Sequence, residues 1–203
     1  MLPEITFKPC CDSPKLATSV EPVMSRKQRT LLFQKLTDRH YLASQGIVVR
    51  TDITGISFEI PVNFDMALER IAKTICRQLG LSVTSLHSIR IRHYRVGDSH
   101  PPHCDHFERE SDHLLATSII NIASAEKGGK TCFTAAPYAQ VNQLGHATLW
   151  FNLLSDGTPD FNSEHKGEEV LQGEKLIAIL LFYAPPQQAD KSLAQYHKYV
   201  ACP

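Results

Sequence analysis

The chain has 203 residues, 42% of them hydrophobic and 21% charged, which suits one domain with a buried core and argues against global disorder. Lysine plus arginine and aspartate plus glutamate balance at 21 each, so no net field draws the protein to nucleic acid or to an anionic membrane. Six cysteines include no C-x-x-C pair, which disfavours a structural zinc knuckle, and their scatter fits free thiols in a reducing compartment better than a disulfide framework.

Residues 1–22 carry Pro3, Pro9, Pro14 and Pro22 with little periodicity and read as an extended or loose arm. They hold no basic-then-apolar leader pattern, and no apolar run in the chain approaches the length of a bilayer span. A cytoplasmic protein is expected, with no membrane or nucleic-acid partner. A single domain is expected over 23–186, followed by a polar tail over 187–203 that has room for a short closing helix. "SRKQRTLLFQKLTDRHYLAS" (25–44) predicts a helix with Leu32, Phe33 and Leu36 on one face. Its basic start reads as a solvated helix end in preference to a binding patch. "GIVVRTDITGISFEI" (46–60) predicts strands around a loop at Gly55.

"DMALERIAKTICRQLG" (65–80) is the clearest helix. Leu68, Ile71, Ala72, Ile75, Cys76 and Leu79 form one apolar stripe, with Asp65 as N-cap and Gly80 as the stop. From residue 88 the pattern turns to strands: "SIRIRHYRV", "HCDHF", "LLATSIINIA", "KTCFTA", "ATLWFNLL" and "EKLIAILLFYA", separated by turns at Gly128-Gly129, Gly145 and Asp156-Gly157. Many short strands after helices predict a mainly β (α+β) sandwich or barrel with helices on one outer face. Trp150 and Phe151 read as packing residues.

The segment "SHPPHCDHFE" (99–108) concentrates metal-capable side chains. A lone His-x-Asp is weak in a chain with 10 histidines. On a strand, however, His103 and Asp105 would face one side and Cys104 the other. A second histidine would complete two imidazoles and a carboxylate on one face of a metal, the arrangement of non-haem Fe(II) oxygenases. His165 is the candidate. Ten residues on, Lys175 enters a strongly apolar strand. It either sits exposed at the strand mouth or is buried against an anionic ligand.

Four motifs then occur in order. "HYRVGDSHPPHCDHF", "LLATSIINIASAEKGGKTCF", "LGHATLWFNLLSDGTPD" and "SEHKGEEVLQGEKL" resemble, in residue type and spacing, the 2-oxoglutarate/Fe(II)-dependent dioxygenases of the prolyl 4-hydroxylase type, over about residues 88–184. A looser similarity reaches back to about residue 48. The resemblance implies a double-stranded β-helix, a cupin-like jelly roll, buttressed by the N-terminal helices. It implies that His103, Asp105 and His165 hold Fe(II), and that Lys175 pairs with the far carboxylate of 2-oxoglutarate, with Tyr94 and Thr131 adding hydroxyl donors. It also implies O2 as co-substrate, with ascorbate as a further candidate.

The implied reaction decarboxylates 2-oxoglutarate to succinate and CO2 and hydroxylates an unactivated carbon, foremost the 4-position of a prolyl residue in a peptide or protein. Retention of Asp105 favours hydroxylation over halogenation. Glu174, where oxygen-sensing relatives place arginine, favours the collagen-type and plant-type branch. Asn121, Glu168-Glu169 and, at a substrate-side position, Leu181 depart from the family pattern, so a peptidyl-proline substrate does not follow from the resemblance alone. The alternatives are a hydroxylase of a free amino acid or other small molecule, and a catalytically silent member that binds metal or peptide. Arg50 and Phe58, on the loop that resembles the family's lid, and His106 are candidate substrate contacts. His93, His100 and His113 read as solvated neighbours.

Overall fold

The structure is a computed structural model and describes residues 4–10, 15–106, 111–135, 140–141 and 143–201. In chain order the strands and helices are β1 (Phe7–Pro9), β2 (Leu16–Ser19), α1 (Arg26–Thr37), α2 (Arg39–Ser44), β3 (Arg50–Asp52), β4 (Gly55–Ile60), α3 (Met66–Gln78), β5 (Ile89–Tyr94), β6 (His100–His103) and β7 (His113–Ala123). They continue with β8 (Lys127–Gly128), β9 (Thr131–Phe133), β10 (Gln140–Val141), β11 (Ala147–Phe151), β12 (His165–Gly167), β13 (Val170–Gln172), β14 (Lys175–Ala184) and α4 (Ala189–Tyr196).

An 8-stranded sheet runs β1-β2-β11-β7-β14-β5-β4-β3, and a 4-stranded sheet runs β10-β9-β12-β6. The pairings within both are antiparallel. This is the double-stranded β-helix expected from the resemblance.

Strand alternation gives the large sheet two faces. On β14, Leu176, Ala178, Leu180 and Phe182 point to the helix side, where they join Leu32, Leu36, Leu68, Ile71 and Ile75 in the main core. Ile177 and Ile179 point inward and join Leu16, Tyr94, Ile119, Phe133 and Trp150 between the sheets. β5 divides the same way, with Ile89 and Ile91 in the main core. The helices therefore cover one face and leave the other to enclose a site.

Helix α3 matches its sequence reading. Asp65 accepts from the Ala67 and Leu68 amides. Beyond the last turn Gly80 adopts φ 68°, which frees the Leu81 amide to reach the Cys76 carbonyl at 2.8 Å. Burial pushes the Cys76 thiol up to about 12, so it acts as a small apolar side chain.

Four expectations are corrected. The single helix over 25–44 is two, because Asp38 is extended and turns its carboxylate onto the Tyr41 amide, capping α2. The first 22 residues are more than an arm: β1 pairs with β2, and β2 pairs with β11 in the large sheet. The strand expected over 103–107 lies at 100–103 instead and ends at His103, and Phe107 is outside the described residues. The strand after the glycine pair spans 131–133 alone. In the tail, α4 buries Tyr196 against Phe7 and Phe151, at 5.4 and 5.5 Å between ring centroids. No helix among the described residues is long and apolar enough to cross a membrane.

Candidate metal and co-substrate site

His103 and His165 are directly paired residues of neighbouring strands, β6 and β12, so the ladder itself sets their side chains together. Their rings lie 4.3 Å apart between centroids. Asp105 comes in by another route. Beyond the end of β6 the His106 amide bonds the Cys104 carbonyl at 2.9 Å, a tight turn centred on Asp105. That turn, rather than strand alternation, places the carboxylate. Donor atoms of the three residues lie within 4.8 Å of one another. His103 Nε2 is 3.6 Å from Asp105 Oδ1, and His165 Nε2 is 3.9 Å from Asp105 Oδ2.

Each imidazole is oriented through its other nitrogen. His103 Nδ1 donates to the Pro101 carbonyl and His165 Nδ1 to the Ser163 carbonyl, both at 2.9 Å. This leaves both Nε2 lone pairs facing the carboxylate, the tautomer that a metal requires. Burial lowers the His165 pKa and keeps that ring neutral. Asp105 is anchored in turn: the Thr117 hydroxyl donates to its Oδ2 at 2.8 Å, and Asn152 Nδ2 donates to the Thr117 oxygen at 2.9 Å. Donors 3.6–3.9 Å apart are too distant to hydrogen-bond one another, and two neutral imidazole nitrogens converging on a carboxylate form a donor set suited to a first-row divalent ion. The three residues fit such an ion.

The same cavity is lined by Tyr94, Thr131 and Lys175. Lys175 is 2% exposed, so its ammonium lies inside the barrel and not at an exposed strand mouth. Its Nζ donates to Thr131 Oγ1 at 3.0 Å and sits 5.2 Å from the centre of the Tyr94 ring. No carboxylate forms an ion pair with it among the described residues, and burial lowers its pKa to about 8. A buried lysine in this condition is suited to an anion that the protein itself does not supply. Burial raises the Tyr94 pKa, keeping the phenol protonated and able to donate.

The structure separates the expected substrate contacts. Arg50 is exposed on β3 and lines a neighbouring groove. Phe58 is 5% exposed and packs in the main core with Ile56 and Ile60, and it also borders the groove that Arg50 lines, away from the metal cavity. His106 lies beyond β6 with its ring 6.5 Å from that of His113, and is not among the residues lining the cavity. Glu174 pairs with His93 at 2.5 Å, outside the cavity lining. Asn121 is fully buried, and both of its amide atoms lack a hydrogen-bond partner among the described residues. Leu181 does line the cavity.

Sequence reasoning missed several residues. Trp150, read as packing, stacks edge-on against His165 at 4.8 Å and lines the cavity. His100 also lines it, 4.2 Å from the His103 ring. Arg90 and Arg92 project into it from β5, and the alternation in "IRIRHY" carries that signal. Thr117 and Asn152 left no signal of their role.

The four-part constellation stands on a jelly-roll frame, and comparison with known proteins agrees with it. A 114-residue segment is 32% identical to "Probable prolyl 4-hydroxylase 7" of Arabidopsis thaliana, covering 45% of this chain and 36% of the relative. A 154-residue segment is 27% identical to "Prolyl 4-hydroxylase subunit alpha-1" of Gallus gallus, covering 71% of this chain and 28% of the relative. The chain is similar to the prolyl 4-hydroxylases in sequence and in fold. It spans only about a third of the length of these two prolyl 4-hydroxylase relatives. No protein-family model matches it.

Among solved prolyl hydroxylase structures, the viral collagen prolyl hydroxylase of Paramecium Bursaria Chlorella virus-1, in its 2OG complex, aligns with a TM-score of 0.67 at 16% identity, covering 86% of this chain and 98% of the viral one. A Pseudomonas putida prolyl-4-hydroxylase aligns with a TM-score of 0.55 at 11% identity, covering 83% and 92%. At these identities the structures attest the shared fold.

Proposed function

We propose that the chain is a 2-oxoglutarate- and Fe(II)-dependent dioxygenase that hydroxylates an unactivated carbon, foremost that of a prolyl residue in a peptide or protein, with succinate and CO2 as co-products. The observation that carries this reading is Lys175: a buried ammonium without a counter-ion among the described residues, in the same cavity as a convergent His-Asp-His set. The similarity to proteins named prolyl 4-hydroxylase supports the prolyl substrate.

His103 and His165 would hold the metal through Nε2 and Asp105 through its carboxylate, leaving half of an octahedral shell open. Bound iron and 2-oxoglutarate supply the oxidising chemistry. The protein's own part is to bind, orient and exclude water. Lys175 would pair with the distal carboxylate through a charge-assisted bond, and Thr131 and Tyr94 would add hydroxyl donors. Ile119, Trp150, Ile177 and Ile179 wall the cavity with apolar surface that keeps bulk water from the reacting atoms. A silent binding member would be expected to lack one of the four key side chains, and all four are in place.

The test is an anaerobic titration with Fe(II) and 2-oxoglutarate, watched for the visible metal-to-ligand charge-transfer band. Aerobic incubation with proline-containing peptides follows, scored by succinate release and by the gain of one oxygen in the peptide mass. No band in folded protein would overturn the reading.

A further inference from the structure

Outside the metal cavity, the inner face of β3, β4 and β5 carries a second feature. A groove of about 560 Å³ is lined by Val48, Arg50, Ser57, Glu59, Arg90 and Arg92, among others. Arg90 and Arg92 also line the metal cavity, so the two spaces share a wall. The cause is strand register: Arg92 lies opposite Ser57, and Ser57 opposite Arg50, which sets guanidinium groups on adjacent strands of one face.

These arginines are only partly neutralised. Arg90 is 3.5 Å from Glu59, whose carboxylate also accepts from Ser88. Arg92 is 3.9 Å from Asp52, too far for a hydrogen bond. Arg50, Arg90 and Arg92 against Asp52 and Glu59 leave one positive charge in excess. Arg92 is also aimed and fixed. Its side chain is 12% exposed, its Nη2 donates to the Thr54 carbonyl at 2.9 Å and to the Thr54 hydroxyl, and its buried Nε has no hydrogen-bond partner among the described residues. A guanidinium that lines both spaces, anchored at one end and with only part of its donor set used among the described residues, is a preorganised donor site for a carboxylate.

We propose that the substrate carries a carboxylate and that the Arg50–Arg90–Arg92 wall seats it beside the metal cavity. This rests on the hydroxylase reading above and narrows its substrate class. Lys175 is buried at the far carboxylate position, so the arginine wall acts on a second acid. A cationic peptide is repelled there, and a neutral one leaves the Arg92 N–H unmet. The acid is either a side chain flanking the target residue in a peptide or the α-carboxylate of a free amino acid. Both present the same group.

The experiment uses Fe(II)-loaded protein with 2-oxoglutarate under anaerobic conditions. Binding is compared for acetyl-Glu-Pro-Glu-Pro-Glu-Pro-amide against its glutamine analogue, and for L-proline against L-prolinamide. The acid of at least one pair is expected to bind about tenfold tighter, with the gap closing as salt rises. The pair that discriminates names the source. Arg50→Gln, at an exposed position, and Arg90→Gln, at a half-buried one, both spare the Arg92 anchor and are expected to reduce the preference. Arg90→Glu should turn it toward a Lys-Pro peptide.

Equal binding within both pairs overturns the proposal. So does a preference that persists in the Arg50→Gln/Arg90→Gln double variant. Succinate release is read separately. Acid preference without turnover sustains the seat and refutes the enzyme; turnover without acid preference refutes the seat alone.

Discussion

The hydroxyl of Thr117 donates to Asp105 Oδ2 at 2.8 Å, in the interior of the barrel. Asn152 in turn donates to Thr117, so a strand and a loop together hold the carboxylate that follows β6. Thr117→Val removes the donor while keeping the shape. Fe(II) affinity is expected to fall about 10–100-fold, with Thr117→Ser restoring most of it. Asp105→Ala and His165→Ala should abolish the charge-transfer band in protein that retains its circular dichroism. Wild-type affinity in Thr117→Val would refute the anchoring role.

Lys175→Met exchanges a buried charge for an apolar side chain of similar length. Loss of 2-oxoglutarate binding is expected, together with a gain in stability of about 1–3 kcal/mol near neutral pH when the co-substrate is absent, after the lost Thr131 hydrogen bond is counted. The sign follows from protonation. The folded pKa is lowered from 10.5 to about 8, so between these values the unfolded chain binds more protons and folding gains stability as pH rises. The advantage of the methionine variant is therefore full below pH 8 and shrinks toward pH 10.5. Urea melts of both proteins across this range measure it.

Co-substrate binding should depend on the same titration. Below the lowered pKa of about 8 Lys175 is already charged, whereas above it binding must first return a proton to the amine. Affinity for 2-oxoglutarate is expected to weaken by up to about tenfold per pH unit above that value, with one proton taken up on binding. Calorimetry in buffers of different ionisation enthalpy reads the proton directly. A flat affinity from pH 7 to 9 would contradict the assignment.

Gly128 is held by its turn. Its φ is 73°, and a Cβ there would lie 2.1 Å from the Glu169 carbonyl oxygen. Gly128→Ala is expected to cost about 2 kcal/mol or more, because both the left-handed backbone and the close approach oppose it. The turn leads into β9 and Thr131, so 2-oxoglutarate affinity should fall as well. A thermal melt and a binding titration check the two effects. Gly46 has φ 71°, and a Cβ there would meet nothing within 4 Å, so Gly46→Ala should lower stability less and leave binding unchanged.

Local pattern carried much of this molecule. The apolar stripe of α3, its Asp65 cap and Gly80 stop, and the apolar run of β14 could be read from the chain, whereas the roles of His103, Asp105, His165 and Lys175 followed from the resemblance of four ordered motifs. The helix and the strand rest on spacing within a few residues, and the site assignment on motifs that keep their order and spacing along the chain. The break at Asp38 was missed because an aspartate in mid-pattern suits a cap as well as a helix. β1 and β2 were missed because strands of three and four residues are too short to show a period and are recognisable only by what they pair with.

Tertiary structure decided the rest. Asp105 faces the histidines through a tight turn after β6, where the pattern had suggested strand alternation. Thr131 meets Lys175 across 44 positions of chain, and Thr117 meets Asp105 across 12. Phe58 went to the core and Arg92 to the cavity because register, once the sheet closed, assigned each residue of β4 and β5 a face. The sequence by itself settled which chemical groups were available and the local periodicity that folds them. Which groups share a cavity was settled by sheet pairing, since contacts between residues far apart in the chain exist only once the strands are registered.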